Sequence, residues 1–171
     1  MSIHIEKFLH ACAHDNAASV IRMLDAGINV DTEMPDSRST GLLRAVLAGN
    51  KETLAVLLGR GADVNYKNQP LYYAALMGRA EICTALTMAG ADTQIADSSG
   101  NTPLHVATEL GWLEACKALL NAGSDVHQTN DMGKSALELA KEADGKLEEA
   151  FHESDHAWTL THAAIARARP K

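Results

Sequence analysis

The sequence predicts an all-α fold in which pairs of short helices stack as repeated units into a solenoid. Gly100 returns as Gly133 and Gly90 returns as Gly123, in each case after thirty-three residues. A fixed period of this length is the signature of a repeat array. Each period also contains two short apolar stripes of helical spacing, separated by turn residues. One pair of helices cannot bury both stripes, so neighbouring units are expected to stack on one another.

The clearest unit runs from Asp97 to Thr129. Thr102 is a good N-cap, because its hydroxyl can accept a hydrogen bond from an amide of the first turn. Pro103 suits the first helical position, where its missing N–H leaves nothing unsatisfied. Gly111 is expected to end this helix, since glycine adopts the left-handed conformation without strain. Leu113 to Asn121 is predicted as the second helix, with its leucines on one face.

This unit resembles the ankyrin repeat. The match is carried by Thr-Pro-Leu-His at 102–105, by Ala107 and Gly111, and by Ala-Gly-Ser-Asp-Val at 122–126. The resemblance implies an ankyrin-repeat solenoid with short β-hairpin loops over residues 1–155, with units near 4–31, 32–65, 66–94, 95–127 and 128–155. Residues 156–171 are left as a C-terminal tail, and Trp158 suggests that part of it forms a short helix docked on the last repeat.

The two terminal units depart from the repeat pattern. Asp15 stands where the first unit should have its helix-ending glycine, and aspartate enters the left-handed region more readily than most residues. Asp144 takes the same place in the fifth unit. Glu148 and Glu149 replace the small residues of the preceding second helix, and a polar outer helix is what a terminal cap requires for solubility.

The third unit is four residues shorter than the others. Gly61 and Gly90 are twenty-nine residues apart, yet Gly78 still precedes Gly90 by the usual twelve. The loss is therefore assigned to the turn before Pro70, and we expect a blunted finger with a notch beside it. A tolerated deletion in a surface loop is the simplest explanation. The three tyrosines of the chain lie around this notch, however, and favour a contact surface: Tyr66, Tyr72 and Tyr73.

The resemblance also implies protein binding without catalysis, through the fingertips and the groove lined by the first helices. Position by position, it predicts these partner-binding residues: Arg44, Leu47, Tyr66, Tyr72, Tyr73, Leu76, Met77, Val106, Glu109 and Leu110. The middle of this set is apolar and includes tyrosine and methionine, which are enriched at the cores of protein interfaces. Arg44 and Glu109 could set the register of a partner. The alternative is that the apolar members are partly buried against neighbouring helices.

Composition restricts the classes of partner. The chain has 171 residues, is 46% hydrophobic but 4% aromatic, and carries a formal net charge of −7. A phosphate-binding basic face is therefore not expected, which disfavours nucleic acid, whereas a basic protein would be attracted. No apolar run approaches eighteen residues, so no membrane span is predicted. The first residues lack the layout of a signal peptide, and a cytoplasmic protein, monomeric when free, is expected.

Cysteine and histidine positions raise the question of a disulfide or metal site. Cys12, Cys83 and Cys116 have no framework spacing, and we expect small buried thiols in a reducing compartment. His10 and His14 lie four residues apart on the first helix. A solvated polar face is expected there rather than a pair of metal ligands.

One motif resembles a catalytic site. The sequence His152-Glu153-Ser154-Asp155-His156 fits H-E-x-x-H, which binds zinc through its histidines and uses the glutamate as a base. A zinc protease also needs a third ligand and a fold that shapes the substrate, and the repeats occupy the chain before this motif. Signatures for phosphate, dinucleotide and serine-hydrolase chemistry are missing. We therefore predict no enzymatic activity, no cofactor and no functional metal.

Three classes of function follow from the sequence. The favoured one is a binding protein that inhibits, adapts or scaffolds a protein partner, including an immunity-type protein that neutralises a toxic one. The second is a structural protein that associates with itself or receives its own tail. The third is a zinc hydrolase based on His152 and His156, and it depends on that motif alone.

Overall fold

The computed structural model describes residues 2–34, 39–66, 69–142 and 150–152. The first helices of the successive units are α1 (Ser2–Ala13), α3 (Gly41–Ala48), α5 (Pro70–Leu76), α7 (Pro103–Glu109) and α9 (Ala136–Glu142). The second helices are α2 (Ala17–Asp25), α4 (Lys51–Gly59), α6 (Ala80–Met88) and α8 (Leu113–Asn121). Each first helix packs on the next, from α1 to α9, while α2 packs on α4 and α6 on α8. The predicted all-α solenoid is therefore confirmed.

The predicted start of α7 at Thr102 is confirmed by hydrogen bonds. The Thr102 hydroxyl accepts a hydrogen bond from the His105 backbone N–H, and His105 Nδ1 accepts one from the Thr102 backbone N–H at 3.2 Å. His105 Nε2 donates to the Lys134 carbonyl oxygen in the next unit at 3.1 Å. Burial lowers the pKa of His105 although backbone hydrogen bonds act in the opposite direction. A neutral imidazole therefore joins two units.

The core repeats with the units. Leu57, Leu86 and Leu119 occupy the same place in three successive second helices, and all three are fully buried. Burying a leucine in this way stabilises a fold by roughly 1.5–3 kcal/mol. The two phenylalanines of the chain, Phe8 and Phe151, are also fully buried, one in the first unit and one in the fifth. Mainly leucine, alanine and valine fill the stack between them, in keeping with the low aromatic content.

Asp15 adopts the left-handed conformation predicted for its position, with a φ of +52°. Its side chain also has a role in the next unit. Asp15 Oδ1 accepts hydrogen bonds from the Thr53 hydroxyl at 3.0 Å and from the Thr53 backbone N–H at 3.3 Å. Thr53 is fully buried near the start of α4. Asp15 therefore ends one helix and caps polar groups of another.

The shortening of the third unit lies between helices. Residues 60–69 connect α4 to α5 and residues 89–102 connect α6 to α7, so the first connection is four residues shorter. Helices α5 and α7 have the same length, and so do α6 and α8. Loop turns elsewhere are closed by isolated antiparallel bridges, Glu33 with Thr40 and Thr129 with Ser135. These bridges agree with short hairpin loops.

Several predictions lie outside the described residues. They concern the polar cap at Asp144, Glu148 and Glu149, the docking of Trp158, and residues 153–156 of the H-E-x-x-H motif. No helix in the described ranges combines the length and the apolar content that crossing a membrane requires.

Candidate partner-binding surface

The first helices expose a strip of large apolar side chains, which we call the apolar strip: Leu47, Tyr73, Leu76, Met77 and Leu110. Leu76 is half-buried, and the other four are between 36% and 48% exposed. Leu47 lies on α3, Tyr73 and Leu76 lie on α5, and Met77 and Leu110 are the C-caps of α5 and α7. These three helices are consecutive neighbours in the stack. Each of these side chains is partly buried against neighbouring helices, but a substantial part of it remains in contact with water. The exposed remainder is apolar surface available to a partner.

Val106 differs from the other predicted groove residues. Its side chain is 7% exposed, because it packs within the hydrophobic core of the stack. It therefore offers little surface to a partner.

Tyr66 and Tyr72 connect the shortened third unit to the loops of its two neighbours. The Tyr66 hydroxyl donates to Glu33 Oε2 at 3.0 Å, towards the second unit. The Tyr72 hydroxyl donates to Asp97 Oδ2 at 2.9 Å, towards the fourth unit. Both side chains are half-buried. Two tyrosine–carboxylate hydrogen bonds therefore tie the third unit to the loop before it and to the loop after it.

The second of these bonds lies in a polar cluster around Asp97. Asp97 Oδ1 accepts hydrogen bonds from the backbone N–H groups of Ser99 at 2.8 Å and Asn101 at 2.9 Å. Burial acts to raise the pKa of Asp97, but these bonds and the one from Tyr72 outweigh it and lower the pKa. Burial, with the bond to Asp97 and its charge, raises the pKa of Tyr72 to about 12. The tyrosine thus stays neutral and the aspartate charged at neutral pH.

Trp112 was not among the predicted site residues, although it belongs to the same surface. Its side chain is 44% exposed, and its Nε1 donates to the Leu76 carbonyl oxygen at 3.2 Å. The ring lies against Gly78, where an added Cβ would come within 2.6 Å of it. The sequence held a signal for this position, because Asn50 and Arg79 also directly follow a helix-ending glycine. The Asn50 side chain donates a hydrogen bond to the Cys12 carbonyl oxygen, and the Arg79 side chain donates one to the Leu47 carbonyl oxygen, in both cases in the preceding unit.

The two predicted register charges lie on the same surface. Arg44 is half-buried on α3, one turn before Leu47, and Glu109 is exposed at the end of α7. In the part of the chain that the structure describes, neither side chain forms an ion pair. Both charges therefore remain available to a partner.

The possible metal and thiol positions can be described for part of the chain. The imidazole rings of His10 and His14 stack with centroids 3.9 Å apart. No group of three or more potential metal ligands occurs among the described residues, which include His152 but not His156. The three cysteines are free and buried, and burial raises the pKa of Cys12 and Cys83 to about 12 and that of Cys116 to about 11. The predicted burial of the thiols is therefore confirmed, and a buried thiol with a raised pKa is a poor nucleophile.

The stacked helix pairs and their exposed apolar strip define a helical-repeat protein. A family model for ankyrin repeats, in three copies, matches residues 8–97 and 71–151. The chain therefore belongs to the ankyrin-repeat family. Ankyrin repeats are generally protein–protein interaction modules, and the family is typically non-catalytic.

Curated relatives match part of the chain. An ankyrin repeat-containing protein of Treponema pallidum (strain Nichols) is 35% identical over 103 residues, which cover 57% of this chain and 34% of the relative. Palmitoyltransferase AKR1 of Kluyveromyces lactis is 30% identical over 103 residues, 56% of this chain and 14% of the relative. The chain thus spans about a third or less of the length of each, so these matches concern the repeats and carry no evidence of enzymatic activity.

Proposed function

We propose that this chain binds a protein partner through the apolar strip and the adjoining Trp112, and that this binding inhibits, adapts or scaffolds the partner. The observation that carries the proposal is the exposure of large apolar side chains on three consecutive first helices. Exposed contiguous apolar surface is costly in water and commonly marks an interaction site. The chain is proposed to be monomeric when free.

The surroundings of the strip support a preformed site. Tyr72 and Tyr73 pack edge to face, with ring centroids 5.9 Å apart. The Tyr72 hydroxyl is held by Asp97, and the Trp112 indole by the Leu76 carbonyl. These contacts fix the aromatic rings before a partner arrives, so less side-chain entropy is lost on binding.

Affinity capture on the full-length chain, followed by mass spectrometry, would identify the partner. Its affinity would then be measured by calorimetry for the parent chain and for strip variants. Loss of affinity on truncating the strip supports the proposal. Binding that is lost only on changing the second helices would overturn it, and a concentration-dependent dimer mass for the free chain would favour self-association instead.

A further inference from the structure

Two arginines border Leu47 on the proposed binding surface. Arg44 precedes Leu47 by one turn of α3. Arg79 comes from the next unit, lies against Gly49 and donates from Nη2 to the Leu47 carbonyl oxygen at 2.9 Å. Both side chains are half-buried. Both arginines are therefore neighbours of Leu47, at the end of the apolar strip in the second unit.

Neither guanidinium has an acidic partner among the described residues. Over residues 2–34, 39–66, 69–142 and 150–152, no carboxylate pairs with Arg44 or Arg79. The Nε atoms of both are buried without a hydrogen-bond partner. Some other basic side chains of the described ranges do form ion pairs, such as Arg60 with Asp25 at 2.8 Å and Lys134 with Glu142 at 2.6 Å. Basic side chains without an ion pair elsewhere in the described ranges, such as Arg22, are exposed to water, whereas Arg44 and Arg79 are half-buried.

We propose that Arg44 and Arg79 receive an acidic side chain of the partner, next to apolar partner residues that cover Tyr73 and Met77. This inference rests on the proposed function. Guanidinium groups bind carboxylates through charge-assisted hydrogen bonds, which are stronger than neutral ones. The net charge alone predicts a basic partner. The two arginines instead indicate an acidic partner residue at this place on the surface.

Glu109 makes the two ends of the apolar strip opposite in charge. It is exposed at the far end of the strip, two unit steps from Arg44, which is about 20 Å at the usual spacing of packed helices. An acidic partner residue would be repelled there, and a basic one attracted. The fitting segment therefore has an acidic residue at one end, apolar residues in the middle, and either a neutral or a basic residue at the other end.

The test uses a random peptide library displayed on phage and selected against the full chain. We expect enriched peptides to carry an acidic residue beside apolar ones. Arg44→Glu should lower the affinity of these peptides for the chain about tenfold or more. Replacing the acidic peptide residue by lysine should restore much of the affinity for this variant. Arg22→Glu is the matched control, because Arg22 is exposed on α2 and the substitution changes the net charge equally.

Each outcome separates this inference from the proposed function. Thermal unfolding of Arg44→Glu first confirms that the variant folds. If Tyr73→Ala abolishes peptide binding while Arg44→Glu behaves like Arg22→Glu, the acidic-residue inference is wrong and the proposed function stands. If enriched peptides bind Tyr73→Ala as well as they bind the parent chain, or if no peptide is enriched, the acidic-residue inference and the proposed function are both wrong. Rescue by the lysine peptide supports the inference, and its absence overturns it.

Discussion

The indole Nε1 of Trp112 donates a hydrogen bond of 3.2 Å to the backbone carbonyl oxygen of Leu76, one unit earlier in the stack. Arg79 makes the equivalent bond to Leu47 at 2.9 Å. The last carbonyls of a helix have no partner within that helix, so they must be satisfied from outside. In this chain the following unit supplies the donor. The contact therefore joins neighbouring units and at the same time places a tryptophan on the candidate binding surface.

Gly78→Ala should destabilise the fold more than the same change at another left-handed glycine. Gly78 has a φ of +64°, and the new Cβ would lie 2.6 Å from the Trp112 ring. Positive φ alone costs alanine about 1–2 kcal/mol, and displacing a packed ring should add on the order of 1 kcal/mol. The free energy of unfolding, measured by urea titration, checks this expectation.

Gly111→Ala is the control for backbone strain, because Gly111 has a φ of +72° and open space around the position of a Cβ. In a Trp112→Ala background the two alanine substitutions should cost the same. Equal costs in the parent chain would show that the ring moves aside freely, contrary to the role assigned to it.

The sequence predicted the helix pairs well because their signals are local. The N-cap Thr102, Pro103 and the helix-ending glycines each act within one turn of backbone, so their effect can be derived from neighbouring residues. The role of Trp112 depends on Leu76 and Gly78, which belong to another unit. Likewise, Val106 lies on the predicted groove side of its helix, but its burial is decided by neighbouring helices. The exposure of side chains and the contacts between units could therefore be established only from the structure.

Tyr72 should titrate late in alkaline solution. Burial, together with the hydrogen bond to Asp97 and its charge, raises the pKa of Tyr72 to about 12. The native pKa thus lies above the unfolded value of about 10, so the stability that Tyr72 contributes is present below pH 10 and is lost as the pH rises through about 12. Tyrosinate absorbance of the parent and Tyr72→Phe checks this. The variant should lack the late component, and identical curves would contradict the assignment.

Asp15→Gly should destabilise the fold even though glycine suits the left-handed backbone better. The substitution removes the acceptor for the hydroxyl and the N–H of Thr53, which is fully buried. Leaving buried donors unsatisfied costs about 1–3 kcal/mol, more than the relief of strain at an aspartate that already tolerates this conformation. Asp15→Asn keeps an acceptor oxygen and should stay closer to the parent in denaturant unfolding. A glycine variant more stable than the parent would show that the aspartate is only tolerated.

The strongest effect on partner binding is expected at the centre of the apolar strip. Tyr73→Ala and Met77→Ala remove exposed side chains from α5 and its C-cap, so the fold should change little. Truncating an interface anchor commonly costs on the order of 2 kcal/mol, about thirtyfold in affinity. Calorimetry with the captured partner measures this loss, and circular dichroism confirms the fold.

Lys51 and Lys117 provide the controls, because both lie on second helices and pair there with exposed glutamates, Glu81 and Glu114. Exposed ion pairs contribute about 0–1 kcal/mol, so alanine at either lysine should barely alter the fold. It should also leave the affinity for the partner within about threefold of the parent. If the lysine variants lost binding while Tyr73→Ala and Met77→Ala kept it, the partner would occupy the second-helix side of the stack. The apolar strip would then need another explanation, and self-association through it could be tested by the mass of the free chain.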